Sequence, residues 1–437
     1  MVVGNIIPTR FGSILIFNVL FMNYPNIQAE DLAVYEIIKR EEQRQKEGIE
    51  LIASENYVSK AVLEAMGSLL TNKYSEGYVG KRYYGGNEII DQAESLAIDR
   101  AKQLFQAEHV NVQPLSGSPA NLAVYMALLN PGDKVLGFSL DQGGHLSHGH
   151  PLNFSGKLYT IIPYFAKKAT EIIDMDEVEE IALKEKPKMI LAGFSAYSRN
   201  MDWQRFKAIA DKIGAFTFAD IAHIAGLIAG KQLENPVPYF DVVSTTTHKT
   251  LRGPRGAMIM CKEKFASAID KAVFPGVQGG PHDHINAAKA VAFGENLKPE
   301  FVTYAKQVIL NAKSLAKSLQ SKGYRVISGG TDNHLMLIDL FGSKGITGKE
   351  GEKALEKVGI SINKNMIPFD PRKPLDPSGI RLGTPALTTR GCQEADMPVV
   401  ADLIDLSLIH RDNESKLKEI KEQVKAFALR FPVPGLT

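Results

Sequence analysis

The segment STTTHKTLRGPRGAMIM, residues 244–260, sets Ser244, Thr245, Thr246, Thr247, His248 and Lys249 in a row and follows them with Arg252 and Arg255 among glycines. Residues 241–243 read as the end of a buried strand and residues 256–260 as the start of another. The polar run is then a short connection held between core strands. Lys249 in such a connection has two uses. It can be one cation of a basic loop with Arg252 and Arg255. It can also be a nucleophile that forms a Schiff base with a carbonyl compound.

Other loops carry compatible chemistry. In NVQPLSGSPANLAVY, Ser116, Gly117 and Ser118 lie between a strand and a helix whose first turn holds Pro119. Free amides there suit a phosphate, although a serine helix cap explains the same residues. In TFADIAHIAG, Asp220 ends an apolar strand and His223 follows. A buried carboxylate wants a cationic partner such as a pyridinium nitrogen, or it caps a turn. In DQGGHLSHGH, two glycines present His145, which can stack on a flat cofactor or serve the fold. His148 and His150 raise the question of a metal, but no acidic ligand pattern accompanies them, so no metal is expected. NKYSEGYVGKRYYGG crowds Tyr74, Glu76, Tyr83 and Tyr84 into a glycine-rich segment that reads as a binding surface or a subunit contact. FPGVQGGPHDH offers the Gly280 region to an anion, and Arg381 in PSGIRLGTPALTTRG suits bidentate capture of a carboxylate or a structural ion pair. Each loop alone is weak. Their joint occurrence favours the Schiff-base reading of Lys249.

The elements that must position these loops alternate. HVNVQ, DKVLGFS, KMILAGFS, AFTFAD and FDVVST read as strands, with helices at residues 87–105, 119–129 and 203–212. That alternation predicts a mostly parallel sheet covered on both faces, with ligands at the C-terminal strand ends. A helical region over residues 285–322, interrupted near Pro299, leads to YRVIS, HLMLIDL, GISIN and GIRLG, which predict a smaller α+β unit. The expected division is an extension over residues 1–29, a large domain over 30–295 and a small domain over 296–437.

Composition narrows the functions. The 437 residues are 44% hydrophobic, enough for two cores, and a net charge of +2 offers no field for nucleic acid or an anionic membrane. Two cysteines far apart give no disulfide framework, which points to the cytoplasm. Residues 11–22 are apolar but too short to span a bilayer. A signal peptide is one reading of them. The preferred one is a poorly ordered or wrongly assigned extension, with Met22 the true start.

Taken together, ELIASEN, NKYSEGYVGKRYYGG, NVQPLSGSPAN, GGHLSHG, GFSAYS, ADIAHIAGL, TTTHKTLRGPRG, FPGVQGGPH and SGIRLGTPA resemble the serine hydroxymethyltransferases, in that family's order, from about Glu30 onward. The resemblance implies a pyridoxal-phosphate-dependent transferase fold, aspartate-aminotransferase-like and of fold type I. It implies conversion of serine and tetrahydrofolate to glycine and methylenetetrahydrofolate. Carried over, Lys249 holds pyridoxal phosphate as a Schiff base, with Thr246 and His248 orienting it. Asp220 pairs with the pyridine nitrogen and His145 stacks on the ring. Ser116, Gly117 and Ser118 hold the phosphate, with Gly280 of a neighbouring subunit. Ser195 and His223 bond the ring hydroxyl region. Ser54 and Arg381 bind the substrate carboxylate. Glu76 handles the serine hydroxyl proton, and Tyr74 and Tyr84 reach in from the neighbour. Glu76, Tyr83, Leu140, Gly144, His145, Leu146 and Asn365 line a folate site. A homodimer with shared active sites follows, with a tetramer also compatible.

Val79 stands where the family usually has proline, Ala257 replaces a common glycine, and PHDH varies. None of these removes a chemical group, although Val79 is expected to loosen the Glu76 loop. Arg252 and Arg255 are both expected to favour the neutral amine of Lys249. Three other functions stay open: a threonine aldolase of the same cofactor, an aminotransferase, and a non-catalytic scaffold.

Overall fold

The computed structural model describes residues 24–436, so the reading of residues 1–21 lies outside the described residues. Residues 24–29 were expected within a poorly ordered or wrongly assigned extension. They instead enter a helix, Pro25–Glu30, whose first position is the proline that a helix start accepts.

The large sheet has seven strands: β1 His109–Asn111, β2 Lys134–Phe138, β3 Thr160–Tyr164, β4 Met189–Gly193, β5 Phe216–Asp220, β6 Val242–Thr246 and β7 Ala257–Cys261. Their spatial order is β1-β7-β6-β5-β4-β2-β3. All pairings from β6 to β3 are parallel, and β7 alone runs against its neighbours. Strands β4 to β7 are buried at every position but one, as a sheet covered on both faces requires. The sequence reading passed over β3. Its TIIPY contains Pro163, which argues against a central strand, and β3 is indeed the sheet edge.

A second, antiparallel sheet sets four strands in the order Arg325–Val326, Leu335–Asp339, Gly379–Gly383, Asn363–Asn365. It has its own apolar cluster, joined by Ile49 and Leu51, whose short strand pairs with Ile360–Ser361. That crossing passes chain from the expected large domain into the second core. Helix Pro299–Ser321 spans both cores: Phe301, Tyr304, Ala305 and Val308 pack in the first, and Ala312, Leu315, Ala316 and Leu319 in the second. No helix among the described residues is long and apolar enough to cross a membrane.

One buried side chain ties the two ends of the described chain to the second core. Arg390, 3% exposed, donates to the carbonyls of Gln45, Lys46 and Gly48 at the end of helix Leu32–Glu47. It also donates to those of Ala428 and Phe431 at the end of helix Glu414–Ala428. A guanidinium thereby caps two helix C-termini that would otherwise leave carbonyls unpaired. Arg390→Met should therefore lower stability by about 3 kcal/mol, since several buried acceptors lose their donor together. The shift in the urea unfolding midpoint checks this. A shift close to zero would mean that water replaces the guanidinium.

Candidate active site

The C-terminal ends of β4, β5 and β6 open onto a cavity of about 390 Å³. Ser54, Ser116, Gly117, Ser118, His145, Ser195, Asp220, His223, Thr246, His248, Lys249 and Arg381 all line it. Those residues span more than three hundred positions of sequence, so the fold assembles them.

Lys249 sits in the turn after β6, and the neighbouring hydroxyls explain its fixed place. Ser244 Oγ donates to Asn121 Oδ1 at 2.6 Å. Thr247 Oγ1 donates to the Pro254 carbonyl at 2.6 Å, while the Thr247 N–H reaches the Gly256 carbonyl at 3.0 Å. Thr250 Oγ1 donates to the His223 carbonyl at 2.9 Å and accepts from the Gly226 N–H at 2.9 Å. The Lys249 carbonyl accepts from Asn56 Nδ2 at 2.9 Å. The Thr247 and Thr250 hydroxyls satisfy backbone groups that a buried turn would leave bare, and Ser244 ties the strand end to the Asn121 side chain.

Burial pushes the Lys249 amine down to about 8; Asp220 opposes this, and Arg381 and Arg255 add to it. One expectation is corrected here. Arg252 is not among the groups acting on the amine; its guanidinium lies over the Tyr304 ring at 4.7 Å. Arg381, on the second sheet, takes the role expected of Arg252.

Asp220 closes the floor. Burial raises its pKa, but His148 Nε2 at 3.0 Å and Asn121 Nδ2 at 2.9 Å both donate to Oδ2 and hold it well below the carboxylate range. The Ala222 N–H donates to Oδ1 at 3.1 Å. His148 Nδ1 accepts from the His145 N–H at 3.1 Å, so the proton of that ring is on Nε2. His145, His148 and Asp220 place ligand atoms within 4.8 Å of one another, the spacing of a metal site. Each is already held, however: His145 Nδ1 contacts Ser147 Oγ at 2.7 Å, and both nitrogens of His148 are used. The cluster reads as the frame of an ionised carboxylate.

The Ser116 loop is free for a ligand. Ser116 is the N-cap of helix Gly117–Leu128, yet its side chain makes no capping bond, so the cap explanation of this serine does not apply. A Cβ on Gly117 would come within 2.9 Å of Thr246 Cγ2, which is why the loop can approach the lysine turn. Gly143 has φ +124°, and its carbonyl accepts from the Ser195 N–H at 2.8 Å. The Gly143 carbonyl thus anchors Ser195 on the loop that presents His145.

Arg381 donates through Nε to Asn363 Oδ1 at 3.0 Å and through Nη1 to the Ser195 carbonyl at 2.7 Å. It has no carboxylate partner among the described residues, which removes the structural ion pair. Burial lowers its pKa to about 10. His248 Nδ1 is buried without a partner.

The remaining expected residues lie elsewhere in the chain. Tyr74 OH donates to Glu76 Oε1 at 3.2 Å, and the Tyr74 and Tyr84 rings meet edge to face at 5.1 Å. Gly279 and Gly280 pack against this pair: a Cβ on them would lie 3.2 Å from Glu76 Oε1 and 3.6 Å from the Tyr74 ring. Tyr83 and Leu146 are exposed, and Leu140, Gly144 and Asn365 do not line the cavity. The sequence reading missed Glu55, Phe194 and Ala222 on the wall and Asn121 behind Asp220, and it weighed His148 only as a metal ligand, whereas His148 also stands behind Asp220. Glu55 adjoins Ser54 in SEN, a legible signal; Asn121 had none.

The donor set fits pyridoxal phosphate. An uncapped helix start and free serines meet an anion, an ionised carboxylate meets a ring N–H, and a buried amine meets a carbonyl carbon. The pH dependence of imine trapping by a small aldehyde in the cofactor-free protein should accordingly show a midpoint near 8 at Lys249. Arg255→Gln removes a repelling cation and should move it up. Asp220→Asn removes an attracting anion and should move it down. Equal midpoints in all three proteins would show that burial alone sets the amine.

The family model of serine hydroxymethyltransferase matches residues 27–404. A serine hydroxymethyltransferase of Acidobacterium capsulatum is 58% identical over 410 residues, covering 94% of this chain and 96% of that protein.

Proposed function

This chain belongs to the serine hydroxymethyltransferase family, is an enzyme of fold type I, and, we propose, uses pyridoxal phosphate to exchange a one-carbon unit between serine and tetrahydrofolate. The observation that carries the reading is the depressed amine of Lys249 in one cavity with the ionised Asp220.

Lys249 would hold the cofactor's carbonyl carbon, Ser116, Gly117 and Ser118 its phosphate, Asp220 its ring nitrogen, and Ser195 and His223 its hydroxyl. His145 would cover one face, and Thr246 and His248 would orient the lysine. When bound, the cofactor accepts the electron pair left on the substrate α-carbon. Arg381 and Ser54 bind the substrate carboxylate. Glu76, with Tyr74, Tyr84 and the Gly280 backbone, acts in the cavity of a second copy. Glu76 takes the serine hydroxyl proton, the carbon–carbon bond breaks, and the formaldehyde unit passes to tetrahydrofolate. A proton returns to the α-carbon to leave glycine. Tyr83, Leu140, Gly144, His145, Leu146, Asn365 and Glu76 form the folate surface. Residues 30–295 and 296–437 act as large and small domains, and the cytoplasm is the proposed location.

Folate-dependent exchange of the serine hydroxymethyl group tests the function. Cleavage of serine or a β-hydroxy amino acid that gains nothing from folate would make the chain an aldolase. Arg381→Ala should cost about 2–5 kcal/mol in serine kcat/KM, mostly through KM, because a buried charge loses its partner. The loss should be smaller for a serine ester; equal losses would make Arg381 structural.

Shared sites have their own test. Glu76→Gln and Lys249→Ala homodimers should each be inactive in serine cleavage. Co-expressed together, about half the dimers are mixed and each mixed dimer holds one intact site, so about a quarter of wild-type activity should return. No recovery in proven heterodimers would place both residues in one chain's cavity.

A further inference from the structure

His223 lines the cavity, and behind it, outside the cavity lining, stands His334. His334 leads into strand Leu335–Asp339 of the second sheet, whereas His223 follows β5 of the large sheet. Both rings are buried, stacked at 5.4 Å between centroids with 30° between planes, and His223 Nδ1 lies 3.2 Å from His334 Nε2. Burial holds both rings neutral, aided by the positive charges of Lys249 and Arg381.

Two neutral imidazoles in such a contact have one arrangement of protons each way. One ring must donate and the other accept, because two lone pairs facing each other repel. His334 Nδ1 decides which. It is buried with no hydrogen-bond partner; the Ala53 main chain favours a proton on this ring but makes no hydrogen bond with Nδ1. An orphaned buried N–H is rarer and costlier than an orphaned acceptor. Nδ1 is therefore the bare nitrogen, and the His334 proton is on Nε2, where it is donated to His223 Nδ1. That leaves the His223 proton on its own Nε2.

We propose that His334 is a positioning residue that fixes the tautomer of His223, so that His223 presents an N–H donor to the cavity. The group it meets must then be an acceptor oxygen. If the function proposed above holds, that oxygen is the ring hydroxyl of pyridoxal phosphate in its deprotonated form. The second sheet thereby sets the hydrogen-bonding sense of a residue on the first.

The test uses the cofactor-free full-length protein with ¹⁵N-labelled histidine, read by long-range ¹H–¹⁵N correlation and assigned through His223→Gln. Wild-type His223 should be protonated at Nε2. His334→Phe keeps a ring but no donor, and the Nδ1-protonated form of His223 should gain population. Pyridoxal-phosphate affinity should fall roughly three- to tenfold, the worth of one hydrogen bond. His334→Gln returns an amide donor and should restore both. A bare Nε2 on wild-type His223 overturns the proposal whether or not either variant folds. So does an unchanged tautomer in His334→Phe, or a Gln variant that behaves like the Phe variant. A protein with the assigned tautomer but no serine cleavage would leave the tautomer standing and remove only its ligand.

Discussion

A carboxylate cannot be buried ionised without donors, and Asp220 is buried at the end of β5. Its oxygens receive hydrogens from His148, Asn121 and the Ala222 amide. These donors belong to three different elements. Asn121 is on the helix whose first turn holds Ser116, Gly117 and Ser118, and His148 closes the turn that presents His145. Satisfying one charge therefore fixes the Ser116 loop, the turn of His145 and the strand end in a common frame. The same charge opposes the full desolvation of Lys249, so the amine settles near 8 and does not fall further.

The lysine turn is built on the same economy of unpaired groups. In the turn buried between β6 and β7, side-chain hydroxyls pair with peptide groups. Ser244, Thr247 and Thr250 each bond a group outside their own position, and Thr245 bonds the Thr246 carbonyl. For Thr245 and Thr247 the run of hydroxyls before the lysine is thus a backbone requirement first, while Ser244 bonds the Asn121 side chain. Its chemical value is that Lys249 stands on a support with few ways to relax.

What could be read from sequence was what lies close in sequence. The strand–loop–helix rhythm gave the large sheet, because fully buried strands leave continuous apolar runs such as MILAG and AMIMC. Lys249, Asp220, His145 and the Ser116 loop stand at strand ends, where ligands collect in such sheets. Relations between distant segments left no mark. Arg252 and Arg255 look equivalent in RGPRG, but only the fold turns one toward the amine and lays the other on Tyr304. Asn121 looks like any polar residue in a helix until Asp220 is found against it. His334 reads as the start of a strand, and its contact with His223 joins positions 111 residues apart.

Glu76 lies outside the cavity of its own chain, and the catalytic role proposed for it depends on how its loop is held. Its geometry is set within its own chain. Arg82, buried in the same hairpin, donates to the carbonyls of Ser75 and Gly77 at 2.9 Å each and pairs with Asp91 and Glu94. Ser75 Oγ is held by Asp283 at 2.7 Å, just beyond the loop of Gly279 and Gly280 that supports Glu76 and Tyr74. Carboxylate, phenol and glycine loop form one braced unit, and a braced unit loses little freedom on docking. Val79 was expected to loosen it. It stands at the tip of the hairpin between Gly77–Tyr78 and Lys81–Arg82, partly exposed, with Gly80 N–H tied to Asp91 at 2.9 Å. The bracing runs through Arg82 at the base. Exchanging proline for valine at the tip changes the stiffness of the turn and leaves the position of Glu76 to the arginine.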